Sequence, residues 1–346
     1  KIADYLDVEH IIAVNSCTAA LHLGLAAKGF GVGQKFIVPT LTFVSTIECG
    51  EYLGMEPILV DSSKDGFLMD LNQIEDIVKS DNSIKAIIPM HYAGESIDLE
   101  SIMEIAGKYN LFVLQDAAHA FETEHNGIKI GNTDHAAAFS FYANKNLTTG
   151  GEGGALATND SNLAERVKKL SLHGITKDGW NRFKTNGNWE YDIVEMGYKY
   201  NLTDYAACFG LWQMEQIEQW QKIRAEIVLK YNKGLSHIDG IRLPNINDGH
   251  AKHLFVIRLD LERWSISRNS FIAKMNEKEI GLAVHYKPLH QLLYYKEKYG
   301  FDIDEFPMAN TLYESIVSLP IYPNLADDSI NHIIDSIIDL YNRYSK

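Results

Sequence analysis

Lys145 stands in the segment Ser140-Phe-Tyr-Ala-Asn-Lys145-Asn-Leu-Thr-Thr-Gly-Gly-Glu-Gly-Gly154, downstream of Gln115-Asp116-Ala-Ala-His119. An amine that follows an apolar run and precedes a glycine-rich turn is held at a sheet edge, where it can form a Schiff base with an aldehyde cofactor. Displaced by an amino-acid substrate, the same amine becomes a general base that moves a proton between carbon atoms. Asp116 closes the apolar run Leu111-Phe-Val-Leu114 and would lie at its carboxyl end. There it can pair with a protonated pyridine nitrogen and keep the ring an electron sink. A lone lysine reads more simply as a surface residue, and Asp116 can equally cap a helical turn. The order of lysine, carboxylate and glycine turn favours the chemistry.

A phosphate needs donors, and backbone amides serve better than lysines in an acidic chain. Asn15-Ser16-Cys17-Thr18 leads into an Ala- and Leu-rich helix, so the amides around Thr18 and Ala19 can cradle a dianion, with Ser140 and Thr148 adding hydroxyls. Gly150-Gly151-Glu152-Gly153-Gly154 permits close backbone approach but lacks the Gly-Lys-Ser/Thr ending of a nucleotide-phosphate loop. Gly29-Phe-Gly31-Val-Gly33 follows a helix and reads as a turn, not a dinucleotide fingerprint. Phe43 can cover a flat cofactor by offset stacking, with core packing as the alternative. His119, three residues beyond Asp116, would face the ring or its oxygen unless it is an ordinary buried histidine.

These residues must be positioned by a sheet. Ile11 to Val14, Phe36 to Val38, Pro57 to Val60, Ile84 to Pro89, Leu111 to Leu114, Ala136 to Phe141 and Gly154 to Thr158 are compact apolar runs separated by helical stretches. They predict a mostly parallel buried sheet with function at the strand ends. Tyr205 to Leu235 predicts one or two long helices. Beyond Pro244, a strand at His253 to Leu259, a helix at Ser267 to Lys278, a Val284-His285-Tyr286 strand and a last helix from Asp328 to Tyr344 predict a smaller α/β domain. Ile330, Ile333, Ile334, Ile337, Ile338 and Tyr341 give that last helix an apolar core face. The expected division is 1–235 and 236–346. Between Gly174 and Gly197, Trp180, Arg182, Lys184 and Trp189 sit in an aperiodic stretch that reads as a substrate lid or as a packed surface loop.

Composition limits the alternatives. The 346 residues are 46% hydrophobic, enough for a large core. A net charge of −14 argues against a broad nucleic-acid surface while permitting a local phosphate pocket. Cys17, Cys49 and Cys208 form neither a disulfide framework nor a zinc pattern, which suits a reducing compartment, and no apolar run is long enough to cross a bilayer. The chemistry is expected in the cytoplasm, without a metal and without a membrane.

Several ordered blocks carry a resemblance that spans nearly the whole chain: Asn15-Ser-Cys-Thr18-Ala-Ala-Leu-His22, Val38-Pro-Thr-Leu-Thr-Phe43-Val-Ser-Thr, Gln115-Asp-Ala-Ala-His119, Ser140 through Gly154, and Gly197-Tyr-Lys-Tyr-Asn201-Leu-Thr-Asp204. The sequence resembles the DegT/DnrJ/EryC1/StrS group of pyridoxal-phosphate-dependent sugar aminotransferases, of fold type I. The resemblance implies a large mostly parallel-sheet domain with a smaller C-terminal α/β domain, and pyridoxal 5'-phosphate as cofactor. It implies that Lys145 joins the cofactor aldehyde, that Asp116 pairs with the pyridine nitrogen, and that Phe43 stacks over the ring. Thr18, Ala19 and Ser140 would surround the phosphate, His119 would approach the ring oxygen, and Asn201 would reach the phosphate of a partner subunit in a homodimer with shared active sites. Relatives that dehydrate sugars carry histidine in place of the lysine, so Lys145 favours transamination. One departure is the extra glycine in Thr148-Thr-Gly-Gly-Glu152-Gly-Gly.

Members of that family move an amino group, commonly from L-glutamate, onto a nucleotide-linked ketosugar. The wording of Gly197 to Asp204 and of Val284-His-Tyr-Lys-Pro-Leu289 is similar to branches that act on bacterial surface-polysaccharide sugars, which ranks a UDP-linked 4-ketosugar first. GDP- or dTDP-linked sugars and 3-keto substrates stay open, as does a non-enzymatic sugar-nucleotide-binding regulator. His285, Tyr286 and Lys287 are candidates for the substrate wall, and Trp180, Lys184 and Trp189 for the base or pyrophosphate.

Overall fold

The computed structural model describes residues 1–64, 66–176 and 191–346. The apolar runs form β1 (His10–Val14), β2 (Lys35–Pro39), β3 (Glu56–Val60), β4 (Ile84–Ile87) and β5 (Phe112–Asp116). A short hairpin, β6 (Glu124–His125) with β7 (Ile128–Lys129), precedes β8 (Ala136–Ser140) and β9 (Gly154–Thr158). The large sheet has the order β1-β9-β8-β5-β4-β2-β3. Pairs from β8 to β3 are parallel, and β9 alone runs against its neighbours β1 and β8. The reversal follows from the connection: the chain returns from β8 through a glycine-rich loop instead of the crossover helix that a parallel step needs.

Alternation along each strand builds a core on both faces. Val38, Leu114, Ala138 and Leu156 pack with the helix Cys17–Lys28, while Ile37, Ile87 and Val113 pack with the helices Leu71–Ser80 and Leu99–Tyr109. The helix Cys17–Lys28 begins where Ser16 leaves extended backbone and its Oγ accepts the Ala19 amide, and it ends at Gly29, whose φ of 76° is cheap only for glycine. Midway along it, Gly24 has no room for a side chain: a Cβ would stand 2.9 Å from Leu114. That close approach seats the helix directly on the centre of the sheet.

A second sheet, antiparallel in the order β10 (Ile241–Arg242), β11 (Phe255–Leu259) and β12 (Ile316–Leu319), packs against the helices Ile217–Leu235, Arg268–Asn276 and Asp327–Tyr344. Phe255 and Ile257 face that smaller core, whereas Val256 between them belongs to the large one, so β11 joins the two. The stretch read as one or two long helices is two, Asp204–Gln213 and Ile217–Leu235. The expected strand at Val284 to Tyr286 does not form. Only Ala283 bridges to Ser318, and the next residues turn away toward the large sheet, where the His285 carbonyl accepts a hydrogen bond from the Tyr92 hydroxyl. Among the described residues no helix is long and apolar enough to cross a membrane. Trp180, Arg182, Lys184 and Trp189 lie outside the described residues.

Two polar devices lock the later part of the chain onto the large sheet. Asp61, just beyond β3 and buried, accepts the amides of Met308 and Ala309 and so caps the helix Pro307–Ser315 from a distant segment. His91, buried beyond β4, accepts the Ile97 amide at Nδ1 and donates from Nε2 to Gln115 in β5. Removing the remote cap with Asp61→Ala leaves the Met308 and Ala309 amides, and that of Ser62, without this acceptor and is expected to cost about 2 kcal/mol. An unchanged urea midpoint would sink that assignment. Burial also lowers the His91 and His22 pKa values to about 4. The unfolded chain therefore binds protons that the folded chain refuses, and stability, complete above pH 6.5, is expected to fall as pH drops toward 4, by on the order of 3 kcal/mol per histidine. Urea unfolding between pH 7 and 4.5, above most carboxylate titrations, reads this directly, and a flat profile would contradict it.

Candidate active site

The carboxyl ends of β2, β4, β5 and β8, with the start of the helix Cys17–Lys28, converge on a cavity of about 430 Å³. Among its walls are Thr18, Phe43, Asp116, His119, Ser140 and Lys145, contributed by four separate segments. This is where an open parallel sheet places its ligands, and the volume suits a small aromatic molecule with an anionic arm.

Asp116 forms the floor at the last position of β5. Its carboxylate accepts the Thr46 hydroxyl at 2.6 Å and the Ala118 amide at 3.1 Å. Burial nevertheless raises its pKa, against the opposing pull of those two donors and of Lys145. Lys145 follows a turn in which its amide bonds the Tyr142 carbonyl, and its Nζ has no hydrogen-bond partner among the described residues. Burial lowers its pKa, opposed by Cys17 and Asp116. A desolvated amine and a desolvated carboxyl thus share one cavity.

The glycine run after Lys145 folds back on β8. Thr149 donates its amide to Phe141 and its hydroxyl to Glu152, Tyr142 bridges to Gly151, and Gly150 takes a φ of 87°. Gly154 then passes so close to the Cys17 helix that a Cβ would stand 2.5 Å from the Ser16 carbonyl carbon and 2.6 Å from the Cys17 nitrogen. Within this run Gly151 stands open, since a Cβ there would meet nothing within 4 Å.

The remaining predicted residues divide. Thr18 Oγ1 pairs with Ser45 at 2.8 Å, and Ser140 Oγ accepts the Tyr142 amide at 3.4 Å. The Ala19 amide is already taken by Ser16 Oγ and Ala19 does not line the cavity, whereas the amides of Cys17 and Thr18 have no acceptor among the described residues. Thr148 spends its hydroxyl on the Phe141 carbonyl. Phe43 is half exposed at the rim, 5.7 Å from the Tyr286 ring. His119 accepts the Ala93 amide at Nδ1 and meets the Tyr286 hydroxyl at Nε2. His285 and Tyr286 line the cavity, and Lys287 does not. Asn201 lies outside it, bridged to Val14.

Sequence reasoning missed His253, whose ring lies tilted 4.4 Å from that of His119 and whose Nδ1 pairs with Asn146 Oδ1 at 3.0 Å. Asn146 in turn donates to the Ala251 carbonyl, so the residue after Lys145 grips the loop that delivers His253. The one available signal was a histidine directly before the apolar run Leu254 to Leu259, and nothing in its spacing ties it to Asp116.

The cavity fits pyridoxal phosphate on its own donors and acceptors. Asp116 lacks a full cationic partner of the kind a pyridinium offers, Lys145 offers a poorly solvated amine, and two free amides stand at a helix start. Comparisons with known proteins agree. The family model of the DegT/DnrJ/EryC1/StrS aminotransferase family matches residues 1–338. The spore coat polysaccharide biosynthesis protein SpsC of Bacillus subtilis is 39% identical over 343 residues, 98% of this chain and 87% of that protein. The UDP-4-amino-4-deoxy-L-arabinose--oxoglutarate aminotransferase of Shewanella sediminis is 34% identical over 347 residues, covering 98% and 88%. The putative sugar aminotransferase Spr1654 of Streptococcus pneumoniae, in its PLP form, superposes with a TM-score of 0.90 at 29% identity over 99% of this chain and 89% of that one. The chain therefore belongs to the DegT/DnrJ/EryC1/StrS aminotransferase family and is a fold-type-I aminotransferase that depends on pyridoxal 5'-phosphate.

Proposed function

We propose that this aminotransferase moves an amino group from L-glutamate to a nucleotide-linked ketosugar, a UDP-linked 4-ketosugar in the first place, for surface polysaccharide synthesis in the cytoplasm. The observation that carries the transfer chemistry is the shared cavity of Lys145 and Asp116. The sugar class is supported by the two relatives, one named for spore coat polysaccharide synthesis and one for a UDP-linked 4-amino sugar and oxoglutarate. Three free cysteines, two of them buried, support a reducing compartment.

When bound, the cofactor supplies an aldehyde for the amine and an electron sink for the carbon that loses a proton. Asp116 holds the positive charge on the pyridine nitrogen. The Cys17 and Thr18 amides, with the Thr18 and Ser140 hydroxyls, bind the phosphate. Phe43 closes one face of the ring and excludes water from it. Lys145 would hold the cofactor aldehyde and, once displaced by the incoming amine, would move a proton between the two carbons on either side of the transferred nitrogen, a task for which its lowered pKa suits it. The nucleotide anchors the sugar outside this cavity and fixes the ketone beside Lys145.

The unit is a homodimer. The helix Asp204–Gln213 buries none of its residues, although Tyr205 is 77% exposed and Phe209, Leu211 and Trp212 are about half exposed. It lies against the active-site loop, with the Phe209 ring 3.4 Å from a Cβ built on Gly150. A second copy covering this face would bring its own Asn201 segment toward the neighbouring cavity.

Lys145→Ala, folded and supplied with pyridoxal phosphate, is expected to lose the lysine-dependent visible band, and glutamate should change the band of the wild type only. An unaltered spectrum in the variant would sink the lysine assignment. With the wild type, amination of a UDP-linked 4-ketosugar should exceed that of GDP- and dTDP-linked analogues, and the reverse order would reassign the nucleotide. Tyr205→Asp is expected to halve the mass seen by light scattering without changing the far-ultraviolet circular dichroism. A wild type that sediments as a monomer would remove the dimer.

A further inference from the structure

The hydrogen bonds from Ala93 through His119 to Tyr286 run in one sense only. The Ala93 backbone amide donates to Nδ1 of His119 at 3.2 Å. A neutral imidazole has one N–H, so an accepting Nδ1 places the proton on Nε2. That Nε2–H is 2.9 Å from the Tyr286 hydroxyl and must donate to it. The tyrosine oxygen is then the acceptor of this bond, and its own hydrogen points elsewhere.

The backbone is distorted to set this sense. Ala93 has φ 58° and ψ −3°, a left-handed conformation that a non-glycine residue rarely holds, and it is buried in a three-residue turn between His91 and Glu95. Its carbonyl accepts the Leu254 amide, so the turn is also fastened to the loop that carries His253. Burial, with Lys145 and His285 nearby, holds the His119 pKa well below the usual histidine value, which keeps the ring neutral and the direction fixed. Burial, with Asp116 and Cys17 nearby, pushes the Tyr286 phenol up, which keeps its hydrogen in place.

Among the described residues, no second acceptor hydrogen-bonds the Tyr286 hydroxyl. Phe43 lies tilted at 5.7 Å, Tyr92 meets the ring edge-on at 6.5 Å, His119 stacks at 6.0 Å, and His285 is engaged through Nδ1 by Ser318. The hydroxyl makes no other hydrogen bond among the described residues, yet Tyr286 is part of the cavity wall. A phenol hydrogen without an acceptor at the edge of a cavity is a donor waiting for a ligand.

We infer that the Tyr286 hydroxyl is a fixed one-way donor to an oxygen of the molecule bound beside Lys145, with His119 and the Ala93 amide as the positioning residues that set its direction. The acceptor is a phenolic or carbonyl oxygen, supplied either by the cofactor ring or by the keto group of the sugar. The second source rests on the substrate class proposed above, and the first does not.

Tyr286→Phe removes the hydroxyl and keeps the ring that packs on His119 and Phe43. If the acceptor is on the cofactor, the pH titration of the visible band in cofactor-loaded protein without sugar is expected to move by about one unit, and cofactor retention to weaken about 10-fold to 100-fold. If the acceptor is on the sugar, the band and its titration stay as in the wild type, kcat/KM for the ketosugar falls about 10-fold to 100-fold, and the glutamate half-reaction is unchanged. Wild-type values in both readouts overturn the inference. A protein that aminates no nucleotide ketosugar would sink the substrate class alone, and the spectral comparison would then decide about Tyr286 by itself. Nitrogen-15 spectra of histidine-labelled protein, assigned against His119→Gln, should show His119 protonated at Nε2 and bare at Nδ1. The opposite tautomer also overturns the inference.

Discussion

A buried carboxyl without a cationic hydrogen-bonding partner is the constraint around which the cavity is arranged. Asp116 is taken out of water at the end of β5 and, among the described residues, receives only a hydroxyl and an amide in return. Such a group is costly unless something positive completes its shell. Lys145 is close enough to be felt but is itself desolvated, so neither satisfies the other fully. The free protein therefore carries an unmet electrostatic demand at one point, and a protonated ring nitrogen meets it. On the reading proposed for Asp116, affinity for the cofactor and activation of its ring would come from the same carboxyl.

Close packing makes the placement of that carboxyl dependable. Strand β8 carries alanine on both faces and β9 on one, Gly24 lets the helix close onto the Leu114 and Leu156 side chains, and Gly154 lets strand and helix start approach to backbone distance. The amides of Cys17 and Thr18, proposed to bind the phosphate, are therefore fixed relative to Ser140 by contact of main chain with main chain at Gly154, not by flexible side chains. Interiors packed at this density do not deform gradually. A methyl group added at Gly154 would displace the helix start as a body, moving the anion site away from Asp116.

Most of the sheet and the chemistry were legible from local sequence. Apolar runs of three to six residues separated by helical periodicity give the strands of the large sheet, and Asp116, His119, Ser140 and Lys145 stand next to those runs in sequence as they do in space. What was not legible depends on long-range pairing. The antiparallel sense of β9 is decided by the loop between Phe141 and Gly153, whose composition looks the same for either direction. Val284 to Tyr286 has strand-forming residues, yet the Tyr92 hydroxyl and Ser318 hold it as a turn facing the cavity. His253 reaches the site from more than a hundred residues beyond Lys145, through an asparagine that sequence spacing cannot connect to it.

The second sheet is accordingly part of the active site and not an attachment to it. β11 turns one residue into the large core, Asp61 caps the helix Pro307–Ser315 across the boundary, and Asn146 grips the Ala251 carbonyl one residue after Lys145. Each contact fixes the roof of the cavity against its floor. The floor supplies charge, through Asp116 and Lys145. The roof supplies direction, because the neutral rings of His253, His285 and Tyr286 offer donors and acceptors in positions set by their own partners. Charge by itself would hold any small cation or aldehyde in the cavity. Selecting one oxygen of one ligand requires the roof to be registered on the floor to within a hydrogen-bond length, and that registration is what the polar links between the two sheets secure.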